Sequence, residues 1–226
     1  MSDILREVDE EIRRERYMKL WDRYGLYVVA AALIVVLGVA GWRGWEWYAA
    51  REAARSGARF ETAMQLAADG KKRVEAEAAF NELAKDATAG YRVLARFRAA
   101  AEAGKRDRRA GVEAFDAIAA DNSVESAMRD MARLHSGYLL VDSVSVAEIK
   151  TRVEPLIGPA APFRHSANEL LGLAHYRAGE YESAAKIFAS ILSDAETPPS
   201  LRQRAQVMSA LVSGQTGGAP AAPATQ

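Results

Sequence analysis

The sequence predicts an all-α protein in which an N-terminal transmembrane helix is followed by an α-solenoid of helical hairpins. Three observations predict it. Residues 24–42 carry no charge, a pattern of small and aromatic residues recurs at nearly constant spacing after them, and no proline appears before Pro155. A chain so free of prolines over its first two thirds has few helix breakers to work with.

The apolar run extends from Tyr24 to Trp42. At about 1.5 Å of rise per residue it covers roughly the hydrocarbon thickness of a bilayer, which calls for about 17 to 25 apolar residues. Its ends carry the rings that settle at headgroups: Trp21, Tyr24 and Tyr27 on one side, Trp42, Trp45, Trp47 and Tyr48 on the other. A buried helix of a soluble core would have to explain both belts. A cleavable signal peptide would have a shorter apolar run and a small-residue cleavage site, where this chain has Trp42, Arg43 and Trp45. An uncleaved anchor fits better. Arg13, Arg14, Arg16, Lys19 and Arg23 before the span, against Arg43, Arg51, Arg55 and Arg59 after it, give a small bias towards a cytoplasmic N-terminus.

Composition bounds the remainder. Beyond the anchor there is room for one domain of about 150 residues. The net charge is zero, so no overall basic field exists to hold a nucleic-acid backbone. The chain has no cysteine, which excludes disulfides and thiolate metal sites and suits an oxidising compartment.

Residues 1–23 form the leader, with Ile4, Leu5, Val8 and Ile12 at helical spacing among alternating acidic and basic residues. It reads as a short amphipathic, cytoplasmic helix that sets topology or meets a partner helix. After the span, Ala49 to Arg55 continues helix-forming composition, with Gly57 the weak point before a stripe of Phe60, Ala63, Met64 and Ala67. The span and the first domain helix are expected to be continuous. Gly70, in Asp69-Gly70-Lys71-Lys72, is expected to supply the positive φ that ends this helix.

An internal repeat organises residues 43–213. The stretch Leu171-Gly172, then Gly179-Glu180-Tyr181, then Ala184-x-x-x-Phe188 is the tetratricopeptide helix–turn–helix pattern. Gly172 and Ala184 are small where two helices cross, Phe188 fills the gap between repeats, and Gly179 lets the chain turn. The same phase occurs at Ala76-x-x-x-Phe80, at Gly111-x-x-x-Phe115 and, more weakly, at Val153, spaced close to the period of about 34 residues. Four hairpins follow. Their first helices are expected near 49–68, 90–103, 123–141 and 165–178, with a lone helix from Pro198 to Ser213 closing the open end. Residues 214–226, rich in Gly, Pro and Ala, are expected to be a disordered tail.

Two sets of surface residues stand out. Glu169, Leu173, Tyr176 and Arg177 fall on the groove-facing positions of the last repeat and are the candidate partner-binding residues. Lys71, Lys72 and Arg73, with Lys105, Arg106, Arg108 and Arg109, occupy equivalent turns of the first two hairpins and are expected to line up as a basic edge facing anionic lipid or an acidic partner. Ordinary solvated turns are the competing reading.

No constellation supports enzyme chemistry. His135, His165 and His175 are far apart and lack a Cys or a second His at metal-ligand spacing. Ser136 lacks the flanking glycines of a nucleophile elbow, and no phosphate loop ending in Gly-Lys-Ser/Thr occurs. The expectation is a protein-binding scaffold with no catalytic residue, cofactor, metal, nucleic acid or small-molecule substrate, its bilayer contact being residues 24–42.

A charged leader ending in Trp21-Asp22-Arg23-Tyr24-Gly25, one span, a Trp-rich exit and degenerate tetratricopeptide-like repeats resemble the family of the ancillary subunit of the Sec translocon in Gram-negative bacteria. The resemblance implies a single-span inner-membrane protein with a periplasmic domain, sitting beside the translocon and helping periplasmic chaperones receive exported chains. Its implied partners are translocon subunits, those chaperones or the exported chains themselves. An envelope or cell-division coordinator that binds a cell-wall enzyme through the same repeat domain is the alternative.

Overall fold

The computed structural model describes residues 2–217, and the chain divides into two units, Met1–Arg55 and Ser56–Gln226. Among the described residues all regular structure is helical, as expected. The leader is helical too, but its stripe of Ile4, Leu5, Val8 and Ile12 rests on side chains outside the described ones, as do residues 218–226 of the expected tail.

The first unit holds most of α1 (Ser2–Ala68). From Trp21 the helix is long and apolar enough to cross a membrane, with 6 % of its apolar window buried. Leu26, Tyr27, Leu33, Ile34, Val35, Val36, Leu37 and Val39 are all exposed, and so are Trp21 and the exit rings Trp42, Trp45 and Trp47. A core helix of a soluble protein would hide such side chains, because a water-soluble surface rarely leaves so large an apolar patch open. Arg51 lies over the Trp47 ring, 5.3 Å from its centroid.

The second unit begins with the end of α1 and continues through α2 (Arg73–Asp86), α3 (Ala89–Arg106), α4 (Arg108–Ala120), α5 (Ser126–Leu140), α6 (Val146–Val153), α7 (Arg164–Arg177), α8 (Tyr181–Ser193) and α9 (Pro199–Thr216). Helices adjacent in the chain pack on one another, with α5 also reaching α7 and α7 reaching α9. Four apolar clusters result, and each contains the aromatic or Val at the repeated position: Phe80, Phe115, Val153 and Phe188. Ala76, Phe80, Ala184 and Phe188 are completely buried, and Phe115 is nearly so. The small residues explain how the helices come so close. A Cβ on Gly172 would stand 2.9 Å from Phe188 Cζ, and a Cβ on Gly111 would stand 2.4 Å from Gly104 Cα. Gly57 opens the surface of α1 for the Tyr91 hydroxyl, which a Cβ there would meet at 2.8 Å.

The turns and helix ends depart from expectation in several places. Gly70 lacks a positive φ; among the described residues the glycines that adopt one are Gly179 (φ 77°) and Gly217 (φ 70°). The α1–α2 turn is instead closed by Asp69, whose carbonyl accepts from the Lys72 N–H and whose carboxylate accepts from the Lys71 N–H. Gly104 lies inside α3 as the crossing point with Gly111, and Asp107 alone separates α3 from α4, its side chain capping α4 at the Arg109 N–H. The α4–α5 turn is longer than expected, and α5 starts at Ser126 because Asp121 accepts from the Ser123 hydroxyl and N–H and holds a non-helical turn. In the third hairpin Ser145 caps α6, which ends after eight residues in a 3-10 turn, Glu154–Leu156, at Pro155. The closing helix α9 runs through Thr216, so Gly214 is helical.

Candidate functional site

An open groove of the second unit, about 840 Å³, lies between α5, α7 and α9 and is lined by Tyr138, Ser166, Glu169, Leu173, Gln203, Arg204, Val207 and Met208. Its geometry follows from the repeat. Tyr138, Leu173 and Met208 stand at the same phase of three successive first helices, and Glu169 and Arg204, 35 residues apart, share another. Helix α9 therefore stands at the position of a further first helix, and the groove is formed by the faces of three successive first helices.

At the base of the groove sits an ionised pair. The Glu169 carboxylate is almost completely buried and accepts from Arg204 through Nε at 2.6 Å and Nη2 at 2.8 Å, while the Tyr138 hydroxyl donates to its Oε2 at 2.8 Å. Such a two-pronged contact is the strong form of a charge-assisted bond. Burial, then the neighbouring Glu169 charge, push the Tyr138 phenol well above its usual range, so it stays a donor. Hydrogen bonding to Glu169 likewise raises Arg204. Around this pair the walls are apolar: the Tyr138 ring, Leu173, Val207 and Met208.

Of the four residues singled out from the sequence, the structure brings Glu169 and Leu173 together in the groove. Tyr176 instead packs on Tyr181, ring centroids 5.6 Å apart, against the cluster of α8 and α9. Arg177 turns to the preceding hairpin and donates to the Val144 carbonyl. Sequence reasoning missed Tyr138, Gln203, Arg204, Val207 and Met208. The signal was present: carrying the period from Leu173 one repeat in each direction lands on Tyr138 and Met208.

The basic turns are largely compensated. Lys72 pairs with Asp69, Lys105 with Glu102, Arg106 with Glu77 and Arg109 with Glu113, at 3.9, 2.6, 3.3 and 2.9 Å. Lys71, Arg73 and Arg108 have no ion pair among the described residues. The Arg106–Glu77 contact ties the end of α3 to α2 and sets an acid among the cations.

The histidines are each committed locally. His135 stacks on Phe115 with centroids 5.1 Å apart, His165 meets Thr197, and His175 meets Glu180. Among the described residues no three His, Cys, Asp or Glu side chains converge as a metal site would need.

The family described as tetratricopeptide repeat-like domain matches residues 18–208. The chain belongs to that family. Its hairpins, their A-x-x-x-F crossings and the closing α9 are how this tetratricopeptide repeat-like chain realises the architecture. No curated protein and no solved structure matches it. Repeat domains of this kind present grooves to protein segments, which makes the α5–α7–α9 groove the candidate interaction surface.

Proposed function

We propose that the protein is a membrane-anchored interaction scaffold of the bacterial inner membrane, with residues 24–42 in the bilayer, the N-terminus cytoplasmic and the repeat domain periplasmic. On this reading it sits beside the Sec translocon and passes exported chains to periplasmic chaperones; it performs no catalysis and needs no cofactor. The observation that carries the reading is the combination in one chain of an exposed apolar helix long enough to span a membrane and a tetratricopeptide repeat-like domain with an open groove. The order of elements and the Trp-rich flanks, which resemble the translocon's ancillary subunit, supply the partner. The test is photo-crosslinking from Gln203, at the groove, in intact membranes of the native host. Translocon subunits, periplasmic chaperones or exported chains should be captured. Recovery of a cell-wall enzyme in their place would replace this reading with an envelope coordinator.

A further inference from the structure

In the second unit, four large apolar side chains of the described residues are exposed: Val74, Leu94, Val207 and Leu211. Two of them lie one turn apart on α9, and Val207 lines the groove. An apolar strip thus runs from Leu173 and Met208 over Val207 towards Leu211. The charges beside it are already spent. Glu169 is closed bidentately by Arg204 and takes the Tyr138 hydroxyl as well, so the groove offers no free carboxylate to a cationic segment. Arg204 is bound to the most deeply buried carboxylate in the groove, so drawing it onto an acidic ligand would strand the Glu169 charge, a cost that an acidic segment would have to meet. Two of its five N–H donors are used on Glu169 and its side chain remains half exposed. Neutral acceptors such as peptide carbonyls suit donors of that kind, since they take a hydrogen bond without breaking the pair.

From this we infer that the groove between α5, α7 and α9 binds an uncharged, apolar stretch of unfolded polypeptide, with apolar side chains on Leu173, Val207 and Met208 and backbone carbonyls on Arg204 and Gln203. The inference rests on the reading of the groove as a protein-binding surface and specifies its occupant. Met208 suits it, because an unbranched thioether side chain adapts to side chains of different shape. Discrimination comes from exclusion: either sign of charge meets a groove whose own charges are closed on each other.

The test uses the full chain in lipid nanodiscs and short dye-labelled peptides with blocked ends, read by fluorescence anisotropy against empty nanodiscs. One peptide contains Leu, Phe, Ser and Asn; in the second, Asp and Glu replace the apolar residues; in the third, Lys and Arg do. The apolar peptide should bind, and Val207→Asp should weaken it about tenfold or more. Val74→Asp, an equally exposed site outside the groove, should leave it unchanged. Affinity should hold from low to physiological ionic strength, because no unscreened charge pair drives it. Tighter binding of the acidic or basic peptide, a steep salt dependence, or indifference to Val207→Asp each overturns the inference. Failure of every peptide to bind overturns it as well; if the Gln203 crosslinker still captures a partner protein the scaffold reading stands, and if it captures nothing both fall. Self-association that Val207→Asp abolishes would assign the strip to a second copy of the chain. Apolar-peptide binding seen only after deletion of residues 218–226 would assign it to the chain's own C-terminal segment. Either result also overturns the proposal.

Discussion

A carboxylate as deeply buried as that of Glu169 is costly unless its charge is met, and Arg204 and Tyr138 meet it. Removing Arg204 should therefore do more than remove a surface cation. Arg204→Ala is expected to destabilise the repeat domain by about 2 kcal/mol, in the range for stranding a buried charged acceptor. The double variant Glu169→Leu with Arg204→Leu should recover much of that loss, since it strands no charge and leaves the Tyr138 hydroxyl the Ser166 carbonyl as acceptor. Denaturant unfolding of the full chain, followed by circular dichroism, measures both; a double variant no better than the single would show that the pair is not the stabilising feature. His135 offers a pH test at the same scale. Burial lowers its pKa below the ordinary value, so the unfolded chain binds the proton more readily than the folded one. Stability is then fully present above about pH 6.5, the unfolded value, and falls as the solution is acidified from there towards the lower folded value. His135→Phe, which keeps a ring against Phe115, should flatten that part of the pH–melting curve. The pKa of Asp121 is lowered as well, by hydrogen-bond partners and not by burial. The Ser123 hydroxyl, then Arg96, hold its carboxyl at about 2, so its contribution is present above the unfolded value near 3.9 and is lost as pH falls towards 2.

Helix crossings rather than turns carry the specificity of the second unit. At the α3–α4 crossing a Cβ on Gly111 would meet the backbone of Gly104, at 2.4 Å from Cα and 2.9 Å from N. Backbone cannot rotate away, so Gly111→Ala should force the two helices apart and cost about 1–3 kcal/mol, the usual range for overpacking. Gly137 is nearly as crowded, but the atom it would meet is the Leu170 Cδ2, the end of a side chain. Gly137→Ala is therefore expected to cost less than Gly111→Ala. Gly70→Ala has open space and an ordinary φ, and should be neutral or slightly stabilising through the unfolded chain. Thermal melts of the three variants side by side check the order. Phe188, completely buried between α7 and α9 and touching the Gly172 position, should lose about 3–5 kcal/mol on truncation to Ala. An unchanged melting temperature would mean that the hairpin crossings do not hold the stack together.

Across the second unit the core is a row of four clusters, each built on one second helix and its neighbours. Stability in such a row is approximately local plus nearest-neighbour, so damage at Phe188 should loosen α8 and α9 while leaving the Phe80 cluster protected. Hydrogen exchange resolved by mass spectrometry would read this directly, and uniform loss of protection would contradict it. The first unit carries the candidate membrane span. If α1 is the anchor in the proposed orientation, alkaline phosphatase fused after residue 217 should be active in intact cells. An inactive fusion beside an active secreted control would invert the topology and remove the periplasmic role.

How much of this was legible in the sequence depends on the range of the interactions involved. The uncharged run with its aromatic flanks, the repeat period and the buried Phe80, Phe115 and Phe188 could be read directly, because span length and helix-crossing residues are properties of short stretches and of their spacing. Gly179 was legible for the same reason. Gly104 and Gly70 were not, since a glycine inside a close crossing and a glycine in a turn look alike until the opposite helix, here at Gly111, is in place. Tyr176 and Arg177 shared the phase of groove residues, yet Tyr181 and the Val144 carbonyl drew them elsewhere. The pairs Lys72–Asp69, Lys105–Glu102 and Arg109–Glu113 join residues three or four apart and were open to reading from the sequence. The pairing of Glu169 with Arg204, the opening of the groove over Val207, and the pairing of Arg106 with Glu77 were decided only by the tertiary structure. Each depends on which side chains from different helices come within hydrogen-bonding distance, and the packing of successive hairpins sets that distance.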